Sequence, residues 1–212
     1  MATSAPDGFA YHADALPVNL EERLLAAIAI PIGEERQMCM LGPESFDADI
    51  LDLLRTAVAA GLIEAPVNAV QFIVYPDGTG FTSHLDSAHR WGHRIVTFSL
   101  QTACELLLQK AGVATFRQVL EARSAYVLTG PARYDWKHGI SRRKRGGPRV
   151  AVVLRSTKAF ARAATLLFGG QDDDGRHIAD DAGRRLSEAA AREAVAEAAP
   201  LVLALMDKVG RM

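Results

Sequence analysis

Residues 68–84 read Asn68-Ala69-Val70-Gln71-Phe72-Ile73-Val74-Tyr75-Pro76-Asp77-Gly78-Thr79-Gly80-Phe81-Thr82-Ser83-His84. Val70, Phe72 and Val74 recur every second residue, the period that puts side chains on one face of a strand. Pro76-Asp77-Gly78 then breaks the strand with turn chemistry. Phe81 to His84 starts a second short β-prone run. More follow at Arg94 to Leu100, Cys104 to Gln109, Thr115 to Leu120, Ser124 to Leu128 and Arg149 to Arg155. Short strands at such even spacing predict a β-sandwich or barrel.

The chain before this block has helical spacing. Asn19 to Ile30 carries Leu20, Leu24, Leu25 and Ile28, with Asn19 able to cap it and Pro31 and Gly33 to end it. Phe46 to Ala60 repeats the pattern, and Gly61 stands where a C-cap belongs. Residues 31–45 read as a loop. Beyond the β block, Gly169 to Gly175 reads as a linker or mobile loop. Ala182 to Ala199 reads as a helix, with Pro200 kinking or splitting it before Leu201 to Val209. The expected class is therefore α+β with a mainly β core. The expected units are 1–165 for the main domain and 166–212 for a linker and helical extension.

Composition narrows the function classes. A chain of 212 residues, 49% of them hydrophobic, can bury a core without disulfides or structural metals. Net charge is −1, so no global basic field marks a duplex-coating protein. Cys39 and Cys104 lie far apart and read as reduced thiols. The first residues lack a signal-peptide pattern, and the longest apolar run, near Ala198 to Met206, is well short of the ~20 residues of a membrane span. The chain is expected to be soluble and cytoplasmic, with its oligomeric state left open.

Chemistry concentrates at Thr82-Ser83-His84-Leu85-Asp86-Ser87. On a strand, positions i and i+2 share a side, so His84 and Asp86 can converge on one ion. Two histidines and one carboxylate on one face of an iron leave positions open for a cosubstrate and oxygen. His89, His93 and His138 are each available as the second histidine, and spacing alone does not choose. A second metal site built from His84, His89 and His93 is weighed against a plain inter-strand loop, and the loop is preferred for His89 and His93. Further on, Arg149-Val150-Ala151-Val152-Val153-Leu154-Arg155 is an apolar strand with an arginine at each end of one face. Buried charges need partners, and six residues span roughly 20 Å of strand. The two guanidiniums suit two ends of a site for a small dicarboxylate.

The order Tyr75, His84-x-Asp86, His138-Gly139-Ile140 and Arg149-x5-Arg155 resembles the AlkB family of iron/2-oxoglutarate oxygenases, over about Asn68 to Arg155. Trp91-Gly92, Ile95 to Leu100, Val127-Leu128-Thr129-Gly130 and Trp136-Lys137-His138 resemble the branch of the fourth human homologue and its bacterial relatives, and the eighth homologue shares part of the pattern. The resemblance implies a double-stranded β-helix (jelly roll) with the N-terminal helices packed on it. It implies that His84, Asp86 and His138 hold Fe(II), and that Tyr75 and Arg149 hold the distal carboxylate of 2-oxoglutarate. Arg155 is implied near the metal end, pairing with Asp86, the cosubstrate or the substrate. It further implies oxidation of a C–H bond by O2 coupled to decarboxylation of 2-oxoglutarate to succinate. A hydroxylated N-methyl group would then leave as formaldehyde.

Three positions depart from the family pattern. Ala88 stands where DNA-repair members often carry an acidic base reader, and Ile73 and Ala151 stand where asparagines are frequent. The lid is reduced to residues 31–45, which contain no aromatic. Phe81, Trp91, Tyr134 and Trp136 are candidate aromatic neighbours of the substrate. Arg142 and Arg143 open a basic run, Arg142 to Arg145, suited to phosphates or an acidic protein surface. Three functions compete: oxidative N-demethylation of alkylated, single-stranded nucleic acid; demethylation or hydroxylation of a protein side chain such as methyl-lysine; and a binding module without catalysis.

Overall fold

The computed structural model describes residues 4–28, 35–64, 67–142, 146–168, 178 and 184–209. Ten strands occur among them: β1 (Phe9–His12), β2 (Gln37–Leu41), β3 (Ala69–Tyr75), β4 (Phe81–His84), β5 (Trp91–Leu100), β6 (Cys104–Gln109), β7 (Phe116–Leu120), β8 (Ser124–Leu128), β9 (Lys137–Ile140) and β10 (Arg149–Thr157). The helices are α1 (Val18–Ala27), α2 (Ala48–Ala59), α3 (Gly130–Tyr134), α4 (Lys158–Phe168) and α5 (Glu188–Val209).

The strands form two antiparallel sheets. The larger runs β1-β8-β5-β10-β3-β2 and the smaller β4-β9-β6-β7. From β3 to β10 the chain passes back and forth between the sheets, and this crossing makes the jelly roll. The expected double-stranded β-helix is the fold observed.

Period-two patterning explains how one sheet serves two cores. Val150, Val152 and Leu154 of β10 pack outward with Val70, Phe72, Val74, Val96 and Phe98 in a cluster shared with the helices. The alternate residues Ala151 and Val153 join Ile73, Tyr75 and Ile95 in a second cluster between the sheets. Both faces of β10 are thus covered, so its sequence reads as a continuous apolar run.

The helices lie on the outer face of the larger sheet. Leu20 and Leu24 of α1, Ile50, Leu53 and Leu54 of α2, Phe160 of α4 and Leu205 of α5 share the outer cluster. Asp47 caps α2, its carboxylate accepting the Ile50 amide at 3.0 Å. Gly61 follows α2 with φ +67°, a left-handed conformation glycine adopts at little cost. No described helix is long and apolar enough to cross a membrane.

Several local expectations change. Pro17, not Asn19, occupies the N-cap of α1. Proline fixes φ and lacks an N–H, which suits it to a helix start. Within the expected loop 31–45, residues 31–34 lie outside the described residues. Gln37–Leu41 is a strand, recruited by β3 through the register Gln37↔Val74 to Leu41↔Val70, and Pro43–Ser45 is a 3-10 turn. β5 begins at Trp91 rather than Arg94, so His93 is a strand residue, while His89 lies in the preceding turn. β1, β9, α3 and α4 had no counterpart among the expected elements. α5 begins at Glu188, where Ser187 Oγ accepts the Ala190 amide at 3.2 Å. Pro200 lies inside α5 without splitting it. The expected linker Gly169 to Gly175 lies outside the described residues. The expected unit boundary between residues 165 and 166 falls within α4, and α5 packs on the same core through Val202, Leu205, Met206 and Val209.

Candidate metal and cosubstrate site

The cavity between the sheets has a volume of about 280 Å³. Its floor comes from the inward residues of neighbouring strands. In the register of β10 on β3, Arg149 stands opposite Tyr75, Ala151 opposite Ile73 and Val153 opposite Gln71. The Arg149 guanidinium lies 4.9 Å from the Tyr75 ring centre, and its Nε donates to Ser99 Oγ at 3.0 Å. Arg149 is 1% exposed, and its Nη1 has no hydrogen-bond partner among the described residues. A buried guanidinium with an unused donor, lining a cavity, is built for a carboxylate that enters it. Burial holds the Tyr75 phenol above its ordinary range although Arg149 opposes this. Tyr75 therefore keeps a proton to donate beside Arg149.

The two imidazoles are set by the smaller sheet. His84 ends β4 and pairs directly with His138 of β9, their ring centres 4.4 Å apart. Asp86 lies two residues beyond the end of β4, not on the strand as the His-x-Asp spacing suggests. It reaches the same point nonetheless. His84 Nε2 is 3.9 Å from Asp86 Oδ1, and His138 Nε2 is 3.7 Å from Asp86 Oδ2. One donor atom from each of the three lies within 4.8 Å of the others. His84 Nδ1 donates to the Thr82 carbonyl at 3.2 Å, which turns Nε2 towards Asp86. Burial lowers His138 to about 4 despite the opposing pull of Asp86, so its ring is neutral near pH 7. Two imidazoles and a carboxylate converging this way could hold one ion with further positions open.

Arg155 closes the metal end. Its Nη1 donates to Asp86 Oδ1 at 3.0 Å, and its Nη2 bonds the Gln71 side chain. One carboxylate oxygen is thereby tied, while the other faces His138. The Trp91 ring stacks 4.4 Å from the Arg155 guanidinium and 4.8 Å from that of Arg90.

Gly139 permits the close approach of the two imidazoles. A Cβ there would lie 2.6 Å from Ser83 Oγ and 2.8 Å from the Phe81 carbonyl oxygen. Only a residue without a side chain lets β9 lie this near β4.

Of the residues expected near the substrate, Phe81 and Trp91 line the cavity. Tyr134 and Trp136 do not: Trp136 is buried in the inter-sheet cluster, and Tyr134 lies against the Arg133 guanidinium. Arg142 is exposed just past β9, and Arg143 is outside the described residues. The cavity also takes residues that patterning did not single out, namely Met38 and Met40 of β2, Gln71, Thr97, Tyr126 and Arg90. Gln71, Thr97 and Tyr126 were findable as polar members of the inward series of their strands. Met38 and Met40 carried no such signal. Ile73 and Ala151 line the cavity as apolar side chains, so this wall offers a cosubstrate packing rather than hydrogen bonds.

Comparison with known proteins agrees with this geometry. Residues 34–179 match the 2OG-Fe(II) oxygenase superfamily. The human alpha-ketoglutarate-dependent dioxygenase alkB homolog 4 is 34% identical over 113 residues, covering 39% of this chain and 37% of that protein. A Caenorhabditis elegans DNA N6-methyl adenine demethylase is 29% identical over 85 residues, covering 39% of this chain and 29% of that protein. The mouse tRNA (carboxymethyluridine(34)-5-O)-methyltransferase ALKBH8 is 29% identical over 92 residues, covering 43% of this chain and 14% of that protein. The chain thus spans well under half the length of these relatives. Among solved structures, OsALKBH1 superposes with a TM-score of 0.55 at 16% identity, over 73% of this chain and all of that one. A Trichoplax adhaerens prolyl hydroxylase in complex with a hypoxia inducible factor peptide fragment gives 0.53 at 11%, over 71% and 84%. These two likenesses concern the fold. With a triad, an unsatisfied buried arginine and a jelly roll in register with that family match, the chain belongs to the 2OG-Fe(II) oxygenase superfamily, enzymes of Fe(II), 2-oxoglutarate and O2.

Proposed function

We propose that the chain oxidatively N-demethylates alkylated nucleic acid, with His84, Asp86 and His138 holding iron and Tyr75 and Arg149 holding 2-oxoglutarate. When bound, iron and 2-oxoglutarate supply the power to insert one oxygen atom of O2 into a C–H bond, with succinate and CO2 as co-products. On an N-methyl carbon the product is a hemiaminal, which breaks its C–N bond to give formaldehyde and the demethylated amine. The protein's own part is positional. Arg149 and Tyr75 fix one end of the cosubstrate, Ile73 and Ala151 pack along it, and Arg155 fixes the rotation of the Asp86 carboxylate.

The charge inventory of the cavity carries the choice of substrate. Among the described residues its lining holds three arginines, Arg90, Arg149 and Arg155, and one carboxylate, Asp86. Asp86 is committed to Arg155, and Arg149 suits the cosubstrate. Arg90 remains, exposed at the rim, and Arg36 adds a second guanidinium 3.6 Å from the centre of the Phe81 ring. A methylated ammonium is recognised by aromatic faces and negative charge, and no uncommitted carboxylate among the described residues lines this cavity. Two guanidiniums on aromatic rings suit a phosphate-bearing chain next to a flat base. The relatives named for DNA and tRNA are consistent with this substrate.

The test is formaldehyde release from methylated single-stranded oligonucleotides beside methylated peptides. Arg90→Glu is expected to raise the oligonucleotide KM about tenfold, in line with loss of one charge-assisted contact, and to leave the KM for 2-oxoglutarate unchanged. Turnover of peptides alone would overturn the proposal. A protein side chain is the second reading, favoured by β2. This strand is an exposed sheet edge beside the cavity, and its Met38 and Met40 could adapt to an extended peptide added alongside.

A further inference from the structure

The metal-binding carboxylate depends on a cation that no metal-ligand pattern includes. Arg133 lies on α3, five residues before His138, and is 1% exposed. Its Nη1 donates to the backbone carbonyl of Asp86 at 3.0 Å and its Nη2 to that of Ser87 at 3.1 Å. Both acceptors belong to the segment that leaves β4 after His84 and turns into β5. The Ser87 carbonyl also accepts the Trp91 amide at 3.2 Å, and Ser87 Oγ accepts the Arg90 amide at 3.2 Å. One fork therefore grips the turn that has Asp86 at its start and Trp91 at its end.

The other side of the fork is equally fixed. The Ala132 amide donates to the Asp7 carbonyl at 2.9 Å, the Thr129 amide to the Gly8 carbonyl at 2.9 Å, and the Asp135 amide to the Pro131 carbonyl at 2.8 Å. The first two moor α3 to the residues just before β1, and the third closes the last turn of α3. α3 then hands the chain to β9, which carries His138. Asp86 lies beyond the pairing of β4 with β9, so ladder hydrogen bonds do not place it. Arg155 restrains its carboxylate, and Arg133 restrains its backbone.

We infer that Arg133 is a positioning residue for the metal centre, joining the Asp86 segment to the α3–β9 segment so that carboxylate and second imidazole are held in one geometry before an ion arrives. Guanidinium suits the task because a planar fork reaches two carbonyls at once, whereas a lysine ammonium is a single point donor. The effect acts through Asp86; Arg133 itself is not among the residues that line the cavity.

The inference concerns metal affinity and can fail independently of the substrate assignment. The apo chain would be titrated with Mn(II), following loss of the free-ion electron paramagnetic resonance signal, for Arg133→Lys, Arg133→Met and a remote core variant, Phe160→Leu. Partners that orient metal ligands typically contribute 10- to 100-fold to affinity. Arg133→Met is expected to weaken Mn(II) binding within that range, and Arg133→Lys by less. Phe160→Leu, in the helical layer, lowers the melting temperature but leaves affinity unchanged. If Arg133→Met does not fold, Arg133→Lys against Phe160→Leu decides alone. A folded Arg133 variant with wild-type Mn(II) affinity would overturn the inference. So would equal losses of affinity in Arg133→Lys and Phe160→Leu, since they would mark a general stability effect.

Discussion

Replacing Arg149 by methionine should move two measured quantities in opposite directions. Arg149 is buried, its Nε satisfied by Ser99 and its Nη1 by nothing among the described residues. No carboxylate among the described residues forms an ion pair with it. Without cosubstrate, a buried cation so placed lowers the stability of the fold, and an apolar chain of similar length relieves that cost. With cosubstrate, the same guanidinium gains a carboxylate through charge-assisted hydrogen bonds worth about 1.5–3 kcal/mol. At 1.4 kcal/mol per decade, the variant should bind 2-oxoglutarate about 10- to 100-fold more weakly. Ligand at a hundred times its dissociation constant stabilises the native state by about 2.7 kcal/mol. The wild type should gain most of this on addition of 2-oxoglutarate with Mn(II), and the variant little of it. The melting temperature of Arg149→Met should thus equal or exceed the wild type's without cosubstrate and fall below it with cosubstrate. Calorimetric titration supplies the affinity and thermal melts supply the order. An unchanged dissociation constant, or a melting order that does not invert, would refute the assignment of Arg149 to the cosubstrate.

Two other perturbations read the metal end. Gly139→Ala should cost about 1–3 kcal/mol of stability, the usual range for overpacking, because the added carbon meets the backbone carbonyl of Phe81 at 2.8 Å. It should also weaken Mn(II) binding by spreading β4 from β9, and a chemical denaturation curve beside a metal titration checks both. The apo chain should lose stability as pH falls from the ordinary histidine value near 6.5 towards about 4, because the unfolded chain takes up a proton that buried His138 refuses. The loss should reach on the order of 3 kcal/mol and be absent above pH 7. His138→Asn should flatten this slope in melts across pH 4–7, and an unchanged slope would assign it to other groups.

What sequence could reveal follows from how many constraints a residue serves. β3 and β10 are covered on both faces, so every position is selected by burial and the pattern is strong. The arginines at 149 and 155 stood out because charge is rare on such a face. β2 gave no signal, since its residues are mostly exposed and only pairing with β3 makes it a strand. α3 is five residues long, too short for a periodic pattern, and Gly130 and Pro131 masked it as a turn. Asp86 and Ser87 gave no hint that their backbone carbonyls needed a partner. Arg133 looked like any arginine on a short polar stretch, because backbone acceptors leave no trace in composition. The identity of the second histidine was also beyond spacing. It depends on β4 and β9 being neighbours in a sheet, a fact of topology that only the family resemblance supplied.

The residues at the cavity rim occupy cheaper ground than those at its floor. Met38 and Met40 sit on an edge strand, and Arg90 sits in an exposed turn. Substitutions at exposed positions of this kind usually change stability by no more than about 0.5 kcal/mol. The two histidines and both inner arginines, by contrast, are set by registers that cannot slip without turning side chains to the wrong face. Mutation can therefore explore new substrates along β2 and the turn before β5 while the oxidising core is inherited unaltered. A chain with this layout is positioned to diverge in what it oxidises long before it diverges in how.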